Sequence, residues 1–181
     1  MTAKDYAELV KAQLNESWLP HIYREQILKT RTRSYYFAEL KKNTRVEIQH
    51  TLLGVELKVG KRRLLCPDLA TARYLSVFAR AGCPKVAVPY DITKISQLAD
   101  ELESSWHRML LLAADHASDR SQTFRARIRG LVIATLQAEI SEAGAGAAVP
   151  DFKRSTKQRT RGWDTGCKNW FWKLIGRLYC R

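Results

Sequence analysis

The sequence predicts an α+β or α/β domain: a small mixed sheet flanked by helices, with a C-terminal αα-hairpin and a basic aromatic tail. Three observations lead there. Residues Arg45 to Asp91 read strand, turn, strand, basic turn, helix, strand. Residues Ile92 to Ala143 carry two long apolar stripes at helical spacing. The 181 residues suffice for one good core with an appendage.

The elements follow in order. Residues 3–16 predict a helix, because Tyr6, Leu9, Val10 and Leu14 recur at helical spacing. Pro20 interrupts the chain after Trp18-Leu19. A second helix is expected from about His21 to Lys42, with Ile22, Ile27, Tyr35, Phe37 and Leu40 partly periodic, open to a break around Thr30-Arg31-Thr32. Thr44–Thr51 and Leu53–Val59 read as a hairpin around Leu52-Leu53-Gly54. Gly60-Lys61-Arg62-Arg63 is then a basic turn and Leu64-Leu65-Cys66 a short third strand. Pro67-Asp68 opens a helix, since Pro suits a first turn and Asp the positive end of the dipole. Gly82 caps its other end. Lys85–Tyr90 is a short buried strand stopped by Pro89. Ile95, Leu98, Leu102, Trp106, Leu110 and Ala113 stripe one helix; Phe124, Ile128, Leu131, Leu136 and Ile140 stripe the next. Arg125 and Arg129 read as groups that solubilise a face of that second helix. The expected organisation is a globular domain over 1–143, a basic flexible linker over 144–161 and an amphipathic Trp-rich tail over 162–181.

The charge narrows the partner. The formal net charge is +13, with nine basic and two acidic residues in 151–181. Such a balance favours nucleic acid, an anionic membrane or an acidic protein, and nucleic acid ranks first. Met1 to Tyr6 lacks the apolar segment of a secretory signal, and no run of about 18 apolar residues could span a membrane. Four cysteines form no CxxC pair, which argues against structural zinc. Free thiols and a cytoplasmic address are expected.

Glu56 and Lys58 stand two residues apart in Gly54-Val55-Glu56-Leu57-Lys58-Val59-Gly60, so a strand displays both on one face. A carboxylate beside an ammonium can hold a divalent cation and neutralise a phosphate next to it. With the basic turn, Pro67, the helix Leu69–Ala81, Gly82 and the strand Val86–Val88, this motif resembles part of a PD-(D/E)xK nuclease core. The resemblance is to the Holliday-junction-resolvase and VRR-type branch and covers about 45 residues. It implies phosphodiester cleavage with Mg²⁺, Glu56 as second acid and Lys58 beside the attacking water. The first acid is not matched, because no Asp lies between Asp5 and Asp68. Glu47 on the preceding strand takes its place as candidate ligand, with Glu39 as a further carboxylate. Whether the chain is an enzyme stays open.

Cations interleave with aromatics in Arg31, Arg33, Tyr35 and Tyr36, followed by Lys41, Lys42 and Arg45; Lys61, Arg62 and Arg63 lie further on. Phosphates want Arg and Lys, and unpaired bases of DNA or RNA stack on Tyr. One nucleic-acid patch results if the hairpin packs beside the second helix. The alternative is that Tyr35, Phe37 and Leu40 are core and the cations a solvated face. The tail sets Trp170, Phe171, Leu174 and Leu178 on one side of a helix and basic residues largely on the other. That composition suits docking on a membrane surface or a protein partner, or packing back on the body. The alternative function is therefore a non-enzymatic adaptor.

Overall fold

The computed structural model describes residues 2–38, 40 and 44–146, all within a unit spanning Met1–Ala148. It is α+β. Helix α1 (Ala3–Leu14) begins with a capping box: Asp5 N–H donates to Thr2 Oγ1 and Thr2 N–H to Asp5 Oδ2. Ala3, Tyr6, Ala7, Val10 and Leu14 are its buried side. A 3₁₀ turn (Asn15–Ser17) follows.

Pro20 does not simply break the chain. It sits in the first turn of α2 (Leu19–Ile22), where its missing N–H costs nothing. A π-turn over Tyr23–Ile27 ends this helical segment. The long second helix expected to reach Lys42 is corrected here, because Thr32–Tyr36 forms strand β1. β1 pairs antiparallel with β5 (Lys85–Pro89), Ser34 opposite Ala87. Thr, Tyr and Ser over five residues suit a pleated surface, and the partner strand supplies the hydrogen bonds.

Strands β2 (Val46–Thr51), β3 (Gly54–Val59) and β4 (Arg62–Cys66) form a second, antiparallel meander. The expected single mixed sheet is thus two antiparallel sheets, of two and three strands. The basic turn shortens to Gly60-Lys61, since Arg62 and Arg63 already belong to β4. Leu57, Val59 and Cys66 on the inner face are buried, and α3 (Leu69–Ala81) packs across all three strands.

Asp68 caps α3 by accepting from Thr71 N–H at 2.5 Å. Gly82 closes it in the left-handed region at φ 76°. Helices α4 (Ile92–Asp115) and α5 (Gln122–Ala143) make the expected hairpin, started by Asp91 and Ser121. α4 lies on α3, and α1 lies against α5.

Strand β5 has β1 on one side only. On its other edge, Ala87 N–H donates to Tyr23 Oη at 2.8 Å and Ala87 C=O accepts from Tyr74 Oη at 2.7 Å. Tyr23 in turn donates to Gly144 C=O at 2.7 Å. Two phenols thus occupy the place a third strand would take.

Candidate nucleic-acid interface

The strand register gathers the charged residues of the meander. Glu47 lies opposite Lys58, Gln49 opposite Glu56, and Lys58 opposite Arg63. Alternation along each strand therefore places Glu47, Gln49, Glu56, Lys58 and Arg63 on one face. Val46, Ile48, Leu57 and Leu64 take the other, toward α3.

Both carboxylates on this face meet cations. Glu47 is 2.5 Å from Arg45 Nε and 3.6 Å from Lys58 Nζ. Glu56 Oε2 lies 3.7 Å from Arg63, is itself buried, and accepts no hydrogen bond. The cations are more open than the acids: the side chains of Arg45 and Arg63 are 87% and 63% exposed, those of Glu47 and Glu56 only 28% and 13%. Lys61 at the turn and Arg62 at the start of β4 are also exposed. The face and the adjoining turn thus bear Arg45, Lys58, Lys61 and Arg63 against two carboxylates, while Arg62, opposite Val59, lies at the strand start on the other side. Among the described residues, no three or more His, Cys, Asp or Glu cluster as metal ligands.

Strand β1 holds the other basic and aromatic residues in the separate two-stranded sheet. Arg33 and Tyr36 are exposed. The Arg31 guanidinium lies 5.3 Å from the ring centre of Tyr90, a partner that the sequence pattern did not single out. The signal for it was the Pro89 stop, which leaves Tyr90 outside the strand. Tyr35 turns its ring edge to Phe37 at 5.0 Å and is half-buried; burial raises its phenol pKa, with Cys66 adding to the shift. Phe37 is core. Arg45, Lys58, Lys61, Arg62 and Arg63 therefore share the meander, whereas Arg31, Arg33 and Tyr36 belong to the β1–β5 sheet.

Glu39, Lys41 and Lys42 lie outside the described residues, as do Trp170, Phe171, Leu174 and Leu178. No described helix is long and apolar enough to cross a membrane. No family model matches the chain, and searches of curated proteins and of solved structures return no match.

Proposed function

We propose that the chain is a cytoplasmic nucleic-acid-binding protein whose contact surface is the charged face of the β2–β4 meander. The observation that carries this reading is the set of cations, Arg45, Lys61, Arg62 and Arg63 exposed and Lys58 half-buried, around two less exposed carboxylates. An exposed ion pair such as Arg45–Glu47 contributes about 0–1 kcal/mol, so such a cation can exchange a carboxylate for a phosphate at little cost. Arg31, Arg33 and Tyr36 offer a second place for backbone and base contacts. The buried free thiols Cys66 and Cys83 suit a reducing compartment.

The test is the salt dependence of binding to mixed single- and double-stranded DNA and RNA. Affinity should fall steeply between low and moderate salt, because each phosphate contact releases counterions. Lys61→Ala combined with Arg62→Ala should lower the slope of log affinity against log salt by about 2. A salt-independent affinity overturns the reading.

One observation favours a second reading, divalent-metal-dependent cleavage. The buried Glu56 Oε2 without a hydrogen bond is an oxygen a cation could use, and Glu47 and Lys58 share its face. Glu47 and Glu56 would hold Mg²⁺, which would polarise the phosphate and acidify a bound water. Arg45 and Lys58 would have to leave Glu47 for this. Incubation of branched and single-stranded substrates with Mg²⁺ or Mn²⁺ decides it: cleavage abolished by Glu56→Gln supports it, and intact substrates sink it.

A further inference from the structure

A groove of about 750 Å³ runs between α4 and α5. Trp106, Leu110 and Ala113 of α4 and Ile133 of α5 form its apolar floor. The α5 residues along it extend from Gln122 to Ile133, a length of about 16 Å or three helical turns. α5 commits Ile128, Val132, Leu136 and Ile140 to the core, so the side bearing Ala126, Gly130 and Ile133 is left for the groove. Gly130 is an opening in that wall: a Cβ placed there would meet no atom within 4 Å.

The rim is cationic. Arg80 of α3 and Arg125 and Arg129 of α5 line it, and no described carboxylate does. Arg125 is held at its place by donating to the carbonyls of Arg120 and Ser118, each at 3.0 Å. Among the described residues, Arg80 and Arg129 have no hydrogen bond or ion pair. An apolar trough of three turns edged by unpaired guanidinium groups is complementary to one kind of polypeptide.

We propose that this groove docks an acidic amphipathic helix of a partner protein. Apolar side chains at i, i+3 or i+4, and i+7 would lie on Leu110, Ala114 and Ile133 above the buried Trp106, and flanking carboxylates on Arg80 and Arg129. Small residues at Ala126 and Gly130 let the partner backbone approach closely. The groove reaches the segment before β2 only at Thr44, and none of the five meander cations lines it, so its failure would not touch the nucleic-acid reading.

The experiment uses the full chain and three labelled synthetic peptides of three to four turns: an acidic amphipathic helix with Leu and Glu, its counterpart with Lys replacing Glu, and a scramble of the acidic one. Fluorescence anisotropy should show binding of the first, and at least about tenfold weaker binding of the other two. Arg80→Glu with Arg129→Glu should weaken the acidic peptide by about tenfold or more. Gly130→Leu should block it sterically while the melting temperature holds or rises, because glycine is a poor residue inside a helix. Equal binding of the three peptides, unchanged affinity in a folded Gly130→Leu protein, or displacement of the peptide by a single-stranded oligonucleotide overturns the proposal.

Discussion

Tyr23 and Tyr74 do the work of backbone. Each supplies one hydroxyl to Ala87, and both rings are buried with Phe78 against them. Removing either oxygen leaves a buried peptide group unpaired, which costs about 1–3 kcal/mol. Tyr23→Phe and Tyr74→Phe should each lose that much in urea unfolding at neutral pH. Burial also pushes the Tyr23 phenol up to about 12 and the Tyr74 phenol well above its ordinary value. A folded-state pKa above the unfolded value of 10.0 means full stability below pH 10 and a loss as pH rises toward 12. The buried Cys83 thiol, also pushed up to about 12 from 9.0, adds to the loss from about pH 9. Unfolding free energy measured across this window should fall, and Tyr23→Phe should make the fall shallower by on the order of 2–3 kcal/mol. A slope unchanged by the substitution would mean that the phenol ionises freely.

At the scale of one element, α3 is held by its two ends. Asp68→Ala removes the N-cap acceptor and should cost about 1 kcal/mol. Gly82→Ala forces a Cβ into the left-handed region, where only Gln137 stands near at 3.9–4.0 Å. That loss is conformational alone, about 1–2 kcal/mol. The two sites lie at opposite ends of a 13-residue helix, so the double variant should show the sum within about 0.5 kcal/mol in chemical denaturation. α3 was also the most legible element, because Pro67-Asp68, an apolar stripe and Gly82 are local signals. The meander was legible for the same reason: alternation placed Glu56 and Lys58 together, and a tight turn at Leu52-Leu53 fixed where Glu47 would fall. β1 was not. Thr32–Tyr36 becomes a strand only because Lys85–Pro89, some fifty residues on, is there to pair with it. The groove was hidden for a related reason. Arg125 and Arg129 on α5 look like a solvated face until Arg80 is brought beside them from α3.

Over the whole molecule, charge and connectivity are distributed differently. Several acids of the helical part tie elements together. Glu139 of α5 receives Lys11 of α1 at 2.5 Å and Trp18 Nε1 at 2.9 Å, and Arg73 of α3 holds both Asp100 and Glu103 of α4. Arg45, Lys58 and Arg63 pair with the meander's own two carboxylates, and the groove rim has no described carboxylate, which leaves net positive charge for partners. Connectivity converges on Tyr23. Its hydroxyl joins a residue 64 positions away at Ala87 and one 121 positions away at Gly144. Contacts of such sequence separation carry a loop-closure cost that the local contacts of α3 and the α4–α5 hairpin do not, so we expect the Tyr23 bonds to form late. Tyr23→Phe should therefore leave the refolding rate nearly unchanged in stopped-flow experiments and appear almost wholly as faster unfolding. On that expectation the phenol is a late latch: its loss shortens the lifetime of the native state, by the factor that about 1–3 kcal/mol sets, more than it slows the way there.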